Sequence, residues 1–154
     1  MTSIIILFSL FLFGLAIGSF INVVIFRYDG ERPLFSLAGL GGRSHCMACK
    51  RQLAWYDLIP IFSFLFLRGK CRACGTHISW QYPLVELLTA LAFILPALFF
   101  YPHYLFPVMH PHAALMAGLW LIVITLMIIL AGIDMRLMLI PDEAVIGLSL
   151  VGLA

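Results

Sequence analysis

Charge is what this sequence has least of. Among its 154 residues nine are Lys or Arg and seven are Asp or Glu, 10% in all, while 64% are hydrophobic. A water-soluble domain carries about 25% charged residues, so the deficit excludes a protein solvated on every side and favours one embedded in a membrane. Basic residues are also missing at the start. Met1, Thr2 and Ser3 add no cation to the amino terminus, and the apolar stretch behind them is too long for the core of a cleavable signal peptide. The first hydrophobic run therefore reads as an uncleaved span. Internal repeats and low-complexity segments are not evident.

What the sequence does have is long apolar runs. Crossing a bilayer takes about 20 apolar residues. Residues 3–26 carry no charge, residues 83–100 carry only Glu86, and residues 113–133 carry none. A fourth run, residues 144–154, is 11 residues long, roughly 16 Å as a helix. It reads as the first half of a further span, so the chain looks incomplete. The expected fold is an all-α polytopic membrane protein with a small cytoplasmic, zinc-ribbon-like loop domain. Residues 1–26 form the first transmembrane helix and 27–82 the loop. Residues 83–154 hold the second and third spans and the start of a truncated fourth.

The cations are unevenly placed. Eight of the nine fall between Arg27 and Arg72, whereas residues 101–112 contain no charged side chain. Basic segments stay on the cytoplasmic side, so the amino terminus is expected outside and the basic loop inside. The third span then ends in the cytoplasm at Asp134, beside Arg136. Surplus positive charge next to a membrane is accounted for by anionic lipid headgroups. Without a helix suited to reading bases, no nucleic-acid partner is expected.

All four cysteines sit in this loop, as "CMAC" (Cys46, Cys49) and "CRAC" (Cys71, Cys74), with 21 residues between the pairs. Each Cys-x-x-Cys turn can aim two thiolates at one point, and two such turns give the tetrahedral site that Zn²⁺ accepts. In a reducing cytoplasm disulfides are disfavoured. Four sulfur ligands leave no open position for water, so the metal is expected to be structural. Lys50, Arg51, Lys70 and Arg72 adjoin the ligands and offset their negative charge. His45 and His77 read as surface histidines. Residues 61–67 are too short to span, and two placements stay open: packing on the zinc ribbon or lying in the membrane interface.

The stretches "GSFINVVIFR" (18–27), "SHCMACKRQLAWYDLIPIFSFLFLRGKCRACGTHISWQYPLVELLTA" (44–90) and "IDMRLMLIPD" (133–142) resemble type IV prepilin peptidases. These are the leader peptidase/N-methyltransferases of bacterial inner membranes. The resemblance is to their amino-terminal part. Met47 departs from the proline usual after the first cysteine, a change of no consequence for metal binding. The resemblance implies a membrane aspartic peptidase that trims prepilins or pseudopilins at the cytoplasmic membrane face. It then methylates the new amino terminus with S-adenosylmethionine. It also implies that Asp134 is the first catalytic aspartate. The second belongs to a Gly-x-Gly-Asp motif, which does not occur in these residues.

The other acids read structurally. Aspartic proteolysis needs two carboxylates sharing a proton. Eight residues along a helix separate Asp134 from Asp142 by about 12 Å and roughly 80° of rotation, and Pro141 argues against one continuous helix. Asp142 and Glu143 fit the cap and first turn of the next helix. Glu86 fits the first turn of a helix starting at Pro83. Asn22, polar within the first span, should bridge to another helix. Arg136 reads as a cytoplasmic anchor. The glycine-rich residues 38–44 read as a flexible linker, and residues 101–112, with three histidines and three prolines, as a stiff exposed turn. Two rivals to the peptidase remain: a non-enzymatic zinc-containing membrane docking protein, and a small transporter with Asp134 on a proton path. The transporter lacks paired intramembrane charges.

Overall fold

The computed structural model describes residues 2–31, 33–34, 36, 41–104 and 112–152. Three long helices dominate it: α1 (Thr2–Arg27), a second long helix (Gln81–Tyr104) and a third (Ala113–Leu137). Between the first two lie a 3₁₀ turn (Trp55–Leu58) and the short α2 (Phe62–Phe66). We label the second and third long helices α3 and α4, and the final helix (Asp142–Gly152) α5. At about 1.5 Å per residue, the 24 to 26 residues of the long helices exceed the ~30 Å hydrocarbon core. All three are long and apolar enough to cross a membrane. Among the described residues there are no strands, and the loop between α1 and α3 holds only two isolated bridges. The protein is thus helical and polytopic, as its composition predicts.

α3 is the central helix. Of its most apolar window 44% is buried inside the protein, against 22% for α1 and α4. Lipid offers no hydrophobic drive for helices to associate, so close backbone approach and polar bridges must do it. Gly14 and Gly18, four residues apart on α1, provide that approach. A Cβ at Gly14 would stand 2.6 Å from Ala90 Cα, and one at Gly18 would stand 2.6 Å from Glu86 Cα. Toward the α1 carboxy-terminus the contact widens into an aliphatic core. Ile21, Val24 and Ile25 meet Val85 of α3, Ile129 and Ile133 of α4, and Ala144 of α5. Gly132 leaves room for the Ile25 side chain.

α4 runs past Asp134 to Leu137. It stops at Met138, whose left-handed backbone (φ 54°, ψ 37°) turns its N–H onto Asp134 O at 2.8 Å. α5 starts at Asp142, with Pro141 O accepting from Ala144 N (3.2 Å) and Val145 N (3.3 Å). Asp142 and Glu143 occupy its first turn, where the helix dipole favours anions. The break between Asp134 and Asp142 is therefore real.

Glu86 departs from its expected role. α3 begins at Gln81 rather than Pro83, because Pro83 lacks only an N–H that the first turn would leave unpaired. Glu86 thus lies beyond the first turn, and it is 7% exposed. Its position answers to tertiary partners, not to the helix dipole.

Candidate functional site

The two cysteine turns are built alike, a repeat that their surrounding sequence conceals. In the first, Cys46 N donates to Arg51 O (2.9 Å) and Lys50 N to Cys46 O (2.9 Å). In the second, Cys71 N donates to Thr76 O (2.8 Å) and Gly75 N to Cys71 O (2.9 Å). The pattern continues outward. His45 bridges Gln52 as Lys70 bridges His77, and Leu53 N donates to Ser44 O (2.9 Å) as Ile78 N does to Gly69 O (2.7 Å). Each turn needs a left-handed residue directly after its second cysteine, and Lys50 (φ 58°) and Gly75 (φ 70°) supply it. Glycine adopts that conformation freely, whereas lysine does so at a cost.

The turns bring all four Sγ atoms within 4.8 Å of one another, with Cys46 Sγ 3.9 Å from Cys74 Sγ. None of the four is in a disulfide. With Zn–S bonds of about 2.3 Å, tetrahedral sulfurs stand roughly 3.8 Å apart, so the cluster has the size and donor set of a closed zinc site. Local donors prepare it. The Thr76 hydroxyl and amide hold the Cys74 thiol down at about 6. The amides of Cys49 and Ala48 hold Cys46 below the ordinary thiol range. At Cys49 the Arg51 amide pulls the same way, but burial and the neighbouring sulfurs prevail and push it up to about 11. A cation among the sulfurs would relieve that crowding of negative charge. His45 and His77 are exposed and outside the cluster.

Of the cations expected to balance the sulfurs, Arg72 is engaged elsewhere. Its Nε and Nη2 both lie 2.9 Å from Asp57 Oδ1, and its guanidinium sits 5.0 Å from the Tyr56 ring centre. Asp57 Oδ2 also accepts from Ala54 N at 3.3 Å, closing the 3₁₀ turn. Sequence reasoning missed Asp57. Ala54 offers no capping side chain, so only the returning half of a capping box, the carboxylate on the N-cap N–H, is made, and the sequence carried no clear signal for it. α2 packs on the cysteine module, the first of its two expected placements. Phe64 is buried against Trp80, ring centres 4.8 Å apart, while Phe62, Leu65 and Phe66 remain exposed.

A cavity of about 500 Å³ lies between this cysteine module and the ends of α1 and α3. Asn22, 2% exposed, spans its membrane side by donating from Nδ2 to Tyr82 O at 3.0 Å. It is the helix bridge that a polar residue in this span should be. Its Oδ1 is the one buried side-chain polar atom without a partner among the described residues. Beside it Glu86 Oε2 accepts from Ile61 N at 2.7 Å, and the Ser19 hydroxyl bonds to the same carboxylate. Phe26 and Tyr82 stack 4.5 Å apart and nearly parallel. Arg27 donates to Gly41 O (2.6 Å), Gly42 O (3.3 Å) and Arg43 O (3.5 Å), so the described end of the glycine-rich segment is tied down, not free. The rest of that segment, residues 38–40, and nearly all of the histidine-containing residues 101–112 fall outside what can be assigned a described side chain.

Asp134 stands apart from the cavity and from the cysteines. It is exposed, as are Met135 and Met138 after it. No hydrogen bond or ion pair joins its carboxylate to Asp142 or Glu143 among the described residues. Arg136, two positions on, is more than an anchor. Its Nη1 donates to Ile25 O and, at 3.4 Å, to Tyr28 O, and its guanidinium lies 5.5 Å from the Phe26 ring centre. It caps the carbonyl end of α1, where a cation is favoured by the helix dipole, and fixes the end of α4 that bears Asp134.

Comparison with known proteins gives this arrangement a context. Residues 12–100 match the Bacterial Peptidase A24 N-terminal domain. The chain is 42% identical over 149 residues to a Klebsiella pneumoniae protein named Prepilin leader peptidase/N-methyltransferase, covering 94% of this chain and 59% of that one. Proteins of the same name from Myxococcus xanthus (51% over 89 residues) and Bacillus subtilis (39% over 138 residues) are matched over 56% and 89% of this chain. They are covered over 25% and 49% of their own length, so the chain spans well under two thirds of each relative. No solved structure matches it significantly.

Proposed function

The chain belongs to the prepilin peptidase family, whose bacterial A24 amino-terminal domain it carries, and from that premise we propose that it serves in a membrane aspartic endopeptidase. That enzyme removes the leader peptides of type IV prepilins or pseudopilins and N-methylates the amino terminus it exposes. The observation that carries the proposal is the extent of the Klebsiella similarity. At 94% of this chain, it takes in both the cysteine module and the helix bearing Asp134.

Asp134 is one carboxylate of the catalytic pair. In such a pair the ionised member takes a proton from water while the neutral one donates a hydrogen bond to the scissile carbonyl, and the water oxygen forms the new bond to carbon. Carboxylates about 3 Å apart cannot both ionise easily, which divides the roles. Among the described residues no acid meets the Asp134 carboxylate, so the pair needs a second carboxylate brought to it. The exposure of Asp134 suits such a meeting, and Arg136 positions its helix end. S-adenosylmethionine supplies an electrophilic methyl group when bound. The cysteine module holds one Zn²⁺ through Cys46, Cys49, Cys71 and Cys74, as structure and not as catalyst. The protein lies in the bacterial inner membrane with its amino terminus outside and the module in the cytoplasm, against anionic lipid. Its partners are pilins of type IV pili or type II secretion, and not nucleic acid.

The test is a chimera in which residues 1–154 replace the corresponding part of the Klebsiella relative, expressed with a prepilin. Cleavage is expected. Asp134→Asn should lower it by at least about 10³-fold, as loss of one member of a catalytic unit does, with membrane insertion unchanged. Undiminished cleavage by that variant removes Asp134 from the mechanism.

A further inference from the structure

We propose that the cavity under the cysteine module is the binding site for the methyl donor, S-adenosylmethionine, with Asn22 and Glu86 receiving its N–H donors and positive charge. The inference rests on the methyltransferase reading above and adds a location, which neither the family match nor the relatives' names provide.

Size is the first argument. About 500 Å³ falls in the 300–1,000 Å³ range of small-molecule sites and suits a nucleoside with a short tail. Polarity is the second. The lining toward α1 and α3 includes Glu86, a buried carboxylate, and Asn22, whose buried Oδ1 accepts nothing among the described residues. A buried acceptor left unpaired costs about 1–3 kcal/mol, so a donor from outside the chain is called for. Acceptors at the closed end favour a ligand with N–H groups and a cation. S-adenosylmethionine offers both, through its adenine amine, its ammonium and its sulfonium.

The walls fit the remainder. Tyr82, stacked on Phe26 through one face, lines the cavity, and an aromatic ring there is the kind of wall that purines stack against. Arg51, also lining the cavity, is a match for the donor's carboxylate. Because the cavity is bounded by α1, α3 and the module together, it exists only when the module is docked on the membrane helices. Metal binding and donor binding are thereby linked, although the metal touches no donor atom.

The experiment uses the zinc-loaded 154-residue chain in detergent, titrated calorimetrically with S-adenosylmethionine. Three variants are compared. Val23→Phe fills the cavity from a half-buried position. Asn22→Ala removes the unpaired oxygen. Glu86→Gln keeps an oxygen for Ile61 N while removing the charge. Zinc content and melting temperature identify any variant that has merely unfolded, and at least Glu86→Gln should keep its zinc and melt only slightly below the parent. The expected result is saturable binding by the parent chain, weakened about tenfold or more in each folded variant. Equal binding by parent and folded variants overturns the proposal, as does no binding by the parent. Uptake of a short peptide with a free amino terminus in place of S-adenosylmethionine overturns it too. Methyl transfer by the chimera onto a cleaved pilin is measured separately. If transfer occurs while the cavity variants bind normally, the location is wrong and the methyltransferase reading stands. If no transfer occurs, that reading itself fails.

Discussion

Glu86, buried in α3, accepts a hydrogen bond of 2.7 Å from the backbone N–H of Ile61, 25 residues earlier in the cysteine module. Ile61 sits at φ 59°, ψ −50°, at the start of α2. That is the rare, strained classic γ-turn, closed by Phe62 N on Pro60 O at 2.6 Å, and such backbone strain costs about 1–3 kcal/mol. A hydrogen bond to a charged acceptor contributes about 1.5–3 kcal/mol, enough to offset that strain. The carboxylate therefore holds a strained turn in place and pins the module to the membrane helices.

Truncating the pin should free the module. Glu86→Ala is expected to destabilise the chain by about 2 kcal/mol and to speed amide exchange around Ile61. Glu86→Gln should lose less than half as much. Detergent melts and hydrogen exchange followed by mass spectrometry check both.

Removing the metal should loosen the same region from the other side. One zinc per chain is expected by elemental analysis, and Cys71→Ser or treatment with a strong chelator should abolish it. Proteolysis should then cut between residues 43 and 80, with α1, α3 and α4 still protected by detergent.

The glycine pair of α1 should tolerate no side chain. Gly18→Val would put a Cβ 2.6 Å from Glu86 Cα, a backbone atom that cannot swing aside. Overpacking of this kind costs about 1–3 kcal/mol. It should also separate α1 from α3 enough to slow crosslinking between cysteines introduced at Phe13 and Phe93, whose ring centres stand 5.9 Å apart.

Arg136→Ala should expose the Ile25 carbonyl and remove a cap of about 1 kcal/mol. In the chimera, prepilin cleavage should fall several-fold while zinc content stays at the parent level, because the loss lies in placing α4. Arg136→Lys should restore stability only in part, since a single ammonium replaces a guanidinium that bonds two carbonyls and faces Phe26.

Matched turns give a matched comparison. Gly75→Ala should destabilise the module by about 1 kcal/mol through its φ of 70° alone, because a Cβ there meets nothing within 4 Å. Lys50→Gly, at the corresponding position of the other turn, should be neutral or stabilising. Zinc affinity measured by competition with a chromophoric chelator reads both changes.

Much of this molecule was legible residue by residue. Long uncharged runs marked the helices, since only an apolar surface can face lipid. Doubled Cys-x-x-Cys spacing marked the cluster, since such a turn converges two sulfurs locally. Pro141 marked the break before α5. Even the Gly14 and Gly18 spacing carried a packing signal that could have been taken from the sequence. Glu86 and Arg136 were not legible in the same way. Each looked like a helix-end charge with a local explanation, and each spends itself on a backbone group far off in sequence: Ile61, 25 residues away, and Ile25, 111 residues away.

The sequence alone determined where helices form and where a metal can be gripped, because periodicity, hydropathy and short-range spacing act between neighbours along the chain. Tertiary structure decided which helix faces meet, and so what Glu86, Arg136 and Asn22 bond to. It also decided that a cavity lies beneath the cysteine turns while Asp134 remains exposed outside it. The reason is physical: a buried polar group must find its partner wherever packing brings one, and that choice is made by the backbone approach that glycines permit between α1 and α3.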